Sequence, residues 1–127
     1  MNSFEKKVII DLDDTICTTR NGDYKNSKPN HDVIKKMQEY KYQGFKIVIY
    51  TSRNMRTHKG NIGLINAKTL PIILTWLKEN NVPFDEVIVG KPWPSYGGFY
   101  VDDKAIRPEE FINLDYQQIK SLINDNS

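Results

Sequence analysis

A chain of 127 residues that is 39% hydrophobic and 27% charged is long enough for one domain with a buried core, and too ordinary in composition for a disordered or fibrous protein. Its net charge of +2 supplies no general attraction for nucleic acid or an anionic membrane. One cysteine excludes an intrachain disulfide, and the apolar run Val8-Ile9-Ile10 behind Lys6-Lys7 is too short for a signal-peptide core or a membrane span, so a cytoplasmic protein with no membrane partner is expected.

In chain order, the first strand is expected over about 7–11. Residues 16–29 carry Asn21-Gly22, a tight-turn signal, and read as a small hairpin or flap standing over the end of that strand. Asn30 is placed to cap a helix whose apolar face is Val33, Ile34, Met37 and Tyr40 and whose stop is Gly44. A second strand follows over about 46–50, then a polar, glycine-containing loop over 53–66. Thr69 and Pro71 mark a helix with Leu70, Ile73, Leu74 and Leu77 on one face. Strands are expected again near 86–89 and 98–102. A turn after Pro108 and an amphipathic helix from about Asp115 close the chain. The apolar runs lack polar alternation, as strands buried on both faces do. Strand alternating with helix points to a single domain over 1–127: a three-layer, Rossmann-like α/β fold with a central parallel sheet and right-handed crossovers. The link from Gly90 to Gly98 is short for a parallel crossover, and with Pro92 and Pro94 it reads as an extended crossing segment.

Each of the four apolar runs ends in residues suited to a phosphate: Asp11-Leu12-Asp13-Asp14-Thr15, Thr51-Ser52-Arg53, Gly90-Lys91-Pro92 and Asp102-Asp103. In open parallel sheets, ligands bind beyond the carboxyl ends of the strands. Asp11 and Asp13 project differently from one strand end. One can attack phosphorus as a nucleophile, while the other gives a proton to the leaving oxygen and later takes one from water. Carboxylates so close call for a cation, and oxygen ligands at a phosphate site favour Mg²⁺, with Asp102 and Asp103 as further ligands. The Thr51 hydroxyl can donate to a phosphoryl oxygen. Lys91 can neutralise charge on the transferring group, a role for which Lys104 competes.

From Tyr40 to Lys78 the chain holds no acid but seven cations, Lys41, Lys46, Arg53, Arg56, Lys59, Lys68 and Lys78, which read either as a solvated face or as a cationic rim. On the rim reading, Ser52, Arg53, Arg56 and Lys59 bind the substrate, and the 53–66 loop grips it.

In this order, and each behind an apolar run, these residues resemble the motifs of the haloacid dehalogenase superfamily over essentially the whole chain. Residues 11–15, DLDDT, resemble its first motif, Thr51 the second, Lys91 the third and Asp102-Asp103 the fourth. The resemblance implies Asp11 as nucleophile on the central strand, Asp13 as general acid and base, and Mg²⁺ held by Asp11, Asp13, Asp102 and Asp103. A second carboxylate in the first motif implies a phosphatase. The strings TSRNMRTHKGNIGLINAKTLP, GKPW and GFYVDDKAIRPEEF look like a bacterial subgroup labelled capsule- or polysaccharide-biosynthesis phosphatases. The intervals between motifs leave no room for a separate cap domain, so the loop, a second copy of the chain or a large substrate would complete the site. The expected activity is a Mg²⁺-dependent phosphomonoesterase acting through an aspartyl-phosphate on a small phosphoester such as a sugar phosphate. The alternatives are a nucleic-acid end phosphatase, against which the low net charge counts, and a binding protein on the same fold.

Overall fold

A computed structural model describes residues 4–125. They divide after Trp93 into two compact units.

The first unit is built on a parallel sheet. Strands β1 (Lys7–Ile10), β4 (Lys46–Thr51) and β5 (Glu86–Val89) lie side by side in the order β1-β4-β5, with Ile10 opposite Ile49 and Thr51 opposite Val89. The short strands β2 (Cys17–Thr18) and β3 (Lys28–Pro29) form an antiparallel hairpin. Its tip uses Asn21 (φ 52°) and Gly22 (φ 69°), the two positive φ angles that a type I′ turn demands, and a 3₁₀ turn at Tyr24–Asn26 follows. The core gathers Leu12, Ile16, Val33, Met37, Ile47, Ile49, Ile65, Ile73 and Leu77, all essentially without solvent contact.

Helix α1 (His31–Tyr42) begins where Asn30 Oδ1 accepts the Val33 N–H at 3.3 Å, and it buries Val33, Ile34, Met37 and Tyr40. It ends at Tyr42, two residues before Gly44, whose φ of +98° stops a helix at little cost. The Phe45 ring then packs edge-on against Tyr40 at 5.0 Å and feeds the chain into β4.

Three segments are tied together at Asp85, just ahead of β5. Its carboxylate accepts the Ile47 N–H at 2.8 Å and pairs with Lys41 Nζ at 2.6 Å, while its own N–H donates to the Ile47 carbonyl. Lys41 and the Ile47 amide hold this carboxyl below its usual value. Its contribution to stability is therefore complete above the ordinary carboxylate range and is lost as pH falls through the lowered folded value. Asp85→Asn should lower the melting temperature at pH 7 and make little difference in strong acid, which thermal unfolding across pH will show.

Three expectations are corrected. Residues 61–66 are not loop. Asn61 Oδ1 accepts the Leu64 N–H at 3.1 Å and starts a helical run comprising α2 (Ile62–Leu64), a π-helical turn over Ile65–Thr69 and α3 (Leu70–Glu79). The wider π turn, in which the Leu70 N–H reaches back to the Ile65 carbonyl, accommodates Pro71, which has no N–H to donate. Residues 53–60 are a chain of turns, closed by the Met55 N–H on the Ser52 carbonyl and the Gly60 N–H on the Met55 carbonyl.

The second correction concerns residues 98–102, which form no strand. Ser95 (φ 67°) and Gly97 (φ 79°) turn the backbone just before them, and Asp102 Oδ1 accepts the Lys104 N–H at 2.9 Å, closing another turn. The segment leading there is not extended throughout, for the same reason. The third follows from the second: among the described residues β1 is an edge strand, so Asp11 follows an edge strand and not a central one.

The second unit carries α4 (Pro108–Asn113), which buries Phe111, and α5 (Tyr116–Leu122), capped by Asp115 Oδ1 on the Gln118 N–H at 2.8 Å. Among the described residues no helix is long and apolar enough to cross a membrane.

Candidate active site

The site forms where β1 and β4 end. Behind β1 the backbone folds tightly. The N–H groups of Thr15, Ile16 and Cys17 all point at the Leu12 carbonyl, and Asp14 adopts a left-handed φ of 62°. This turn buries Leu12 and Ile16 completely and leaves the polar residues between them half-exposed or exposed.

Asp11 sits between an ammonium and a hydroxyl. Lys91 Nζ is 3.7 Å from Oδ1, and Thr15 Oγ1 donates to Oδ2 at 3.3 Å. Burial raises the carboxyl above its usual value, and the positive charge of Lys91 is the main opposing influence. Lys91 reaches this position because it directly follows the turn after β5, where its N–H donates to the Thr51 carbonyl at 3.1 Å. Lys104, the other candidate for this role, pairs with Asp125 at 3.7 Å. Thr51, 1% exposed at the end of β4, accepts the Arg53 N–H on Oγ1 at 3.0 Å, which leaves its own proton to be donated.

Asp13 has a different neighbour. Arg53 Nε donates to Oδ2 at 3.0 Å and Nη2 to Oδ1 at 2.8 Å, a two-point clamp on the carboxylate. The Arg53 side chain is 2% exposed; its Cζ lies 4.2 Å from the centre of the Tyr24 ring, and Nη2 also reaches Cys17 Sγ at 3.7 Å. Arg53, read from the sequence as a substrate ligand, is thus an internal cation held on Asp13. Tyr24 and Cys17 are the neighbours of this pair that sequence reasoning missed. Burial first, and then the charge of Asp13, pushes the Tyr24 hydroxyl up and the Cys17 thiol up to about 11.

The remaining candidates are more dispersed. Ser52 is half-buried, and Arg56 and Lys59 are exposed on the turns of 53–60. Asp102 and Asp103 lie in the second unit, exposed. Among the described residues, no three His, Cys, Asp or Glu side chains gather closely enough to hold one metal ion. The oxygen donors at the end of β1 are nevertheless the hard kind that Mg²⁺ takes, and Asp11 is the carboxylate there without a guanidinium on it.

Comparison with known proteins bears on the family and the fold. Residues 8–84 match the family model described as haloacid dehalogenase-like hydrolase. A target protein from Vibrio cholerae with a known crystal structure is 49% identical over 96% of this chain and 99% of its own, with a TM-score of 0.91. A chain of the Pnkp1/Rnl/Hen1 complex is 18% identical over 88% of this chain and 36% of its own, with a TM-score of 0.50. A chain of the Pnkp1/Rnl/Hen1 RNA repair complex is 17% identical over 98% of this chain and 33% of its own, again with a TM-score of 0.50. At those identities the last two share the fold and no more. No curated protein matches this chain.

Proposed function

Because the chain belongs to the haloacid dehalogenase-like hydrolases, we propose that it is a phosphomonoesterase acting through an aspartyl-phosphate on a small phosphoester such as a sugar phosphate. The observation that carries this reading is the Asp11 carboxylate between the Lys91 ammonium and the Thr15 hydroxyl, with a second carboxylate, Asp13, two residues on.

In the first step an Asp11 oxygen attacks phosphorus, the bond from phosphorus to the leaving oxygen breaks, and that oxygen takes a proton from Asp13. In the second, Asp13 removes a proton from water, the water oxygen attacks phosphorus, and the bond to Asp11 breaks. Lys91 neutralises charge at Asp11 and on the phosphoryl group, and the Thr51 hydroxyl donates to a phosphoryl oxygen. Bound Mg²⁺ would offset the charge of carboxylate and phosphate. Asp11 would hold it, and the family resemblance adds Asp13, Asp102 and Asp103. A role in capsule or polysaccharide biosynthesis, a cytoplasmic location and completion of the site by a second copy of the chain belong to the same proposal. Arg56 and Lys59 are proposed to meet the anionic substrate from the 53–60 turns.

Turnover of p-nitrophenyl phosphate, a panel of sugar phosphates and a 3′-phosphorylated oligonucleotide tests the reading. Activity is expected on the first two, silenced by EDTA and restored by Mg²⁺. Preference for the oligonucleotide would move the function to nucleic-acid ends, and no release of phosphate from any monoester would leave a binding protein.

A further inference from the structure

We infer that Tyr24 and Arg53 are positioning residues for the acid–base carboxylate, so that the hairpin formed by β2 and β3 holds Asp13 in place for proton transfer. The inference rests on the phosphatase reading and adds to it two residues with no role in the reaction scheme.

A guanidinium taken out of water costs several kcal/mol unless it is fully paired. Arg53 meets that cost with both of its surfaces. Its edge clamps Asp13 through Nε and Nη2, and its face lies against the Tyr24 ring. A two-point contact fixes the plane of the carboxylate as well as its position. Tyr24 comes from the 3₁₀ turn inside the hairpin and is separated from Arg53 by all of α1 and β4. Its place is set in turn by Ser27. The Ser27 hydroxyl donates to the Tyr24 carbonyl at 3.0 Å, and the Ser27 carbonyl accepts the Trp76 indole N–H from α3 at 2.9 Å. An unbroken series of contacts therefore runs from α3 through Ser27, Tyr24 and Arg53 to Asp13.

This arrangement makes a prediction that depends on the leaving group. An alkoxide, as from a sugar phosphate, must be protonated as it departs, whereas p-nitrophenolate leaves without help. Tyr24→Leu removes the stacking ring, lets the guanidinium swing and misaligns Asp13. It should lower kcat/KM for a sugar phosphate by about 10- to 100-fold, part of the roughly 10²–10⁴-fold that positioned proton transfer supplies. It should change kcat/KM for p-nitrophenyl phosphate by about twofold or less, because that ratio reports the first step, in which this leaving group needs no proton. Tyr24→Phe keeps the ring and should keep both activities.

A readout independent of turnover is the ¹⁵N–¹H signal of Arg53 Nε–H. Held on Asp13 and buried, it should exchange slowly with water in wild type and in Tyr24→Phe, and rapidly in Tyr24→Leu. Equal losses of kcat/KM on both substrates, a Tyr24→Phe variant as impaired as Tyr24→Leu, or unchanged exchange in Tyr24→Leu would each overturn the inference while leaving the phosphatase reading intact. A wild-type protein inert on every monoester would overturn that reading, and the acid–base role of Asp13 with it.

Discussion

Asp11→Asn is expected to abolish phosphate release while leaving a folded protein. An amide oxygen is a poor nucleophile toward phosphorus, and loss of a covalent nucleophile is felt on the order of 10⁴–10⁶-fold in kcat. The amide has the shape of the carboxylate, so Thr15 keeps an acceptor within reach. Stability should move the other way. A carboxyl raised by burial favours the folded state only while protonated, and that contribution disappears as pH rises through the folded value. At pH 7 in EDTA the wild type therefore carries a desolvated charge that the variant lacks. Asp11→Asn should melt at the same temperature or higher. Near-normal turnover in the variant would exclude the covalent route. A large fall in melting temperature would mean that the Lys91 contact, at 3.7 Å, outweighs the burial of Asp11.

The largest effect on stability is expected at Trp76, remote from any reacting atom. Its ring is 4% exposed, and its indole N–H is bonded to the Ser27 carbonyl. Trp76→Ala removes a buried aromatic side chain and should cost about 3–5 kcal/mol. Trp76→Phe keeps most of the apolar contact but leaves the Ser27 carbonyl without its indole donor, a loss of about 1–3 kcal/mol. Denaturant unfolding of the two variants separates packing from hydrogen bonding. If Trp76→Ala costs less than about 1 kcal/mol, α3 does not anchor the hairpin.

The parts of this fold that could be read from the sequence are those set by neighbours along the chain. Val8-Ile9-Ile10 and Ile47-Val48-Ile49 are both strands, but burial on both faces holds only for the second, since Ile9 is exposed on the edge strand β1. Asn30 caps α1 and Asn21-Gly22 turns the hairpin because a short amide side chain and positive φ angles are local requirements. The run 98–102 has the same composition as a strand, but a strand also needs a partner, and composition does not name one. The helical run from Asn61 was hidden by Gly63 and by Pro71, whose irregularity the π turn absorbs.

The site divides along the same line. Asp11, Asp13, Thr51 and Lys91 could be named as candidates because each stands at or just beyond the end of an apolar run. The partner of Arg53 could not. It lies in a stretch of cations without an acid, where solvated charges are the ordinary outcome, and its carboxylate is 40 positions away. Lys41 leaves that stretch in the same manner, toward Asp85. The cationic segment is thus partly internal wiring, and its net charge overstates what an incoming anion would meet.

The thiol of Cys17 turns the hairpin into its own reporter. It is the sole sulfhydryl of the chain, it is 1% exposed at the start of β2, and burial pushes its proton affinity up to about 11, so at neutral pH almost none of it is thiolate. A reagent such as iodoacetamide meets it only in molecules that have opened around it, as when β2 and β3 part. The alkylation rate of the unmodified protein therefore follows those openings, with no probe to introduce and no second thiol to confuse the signal.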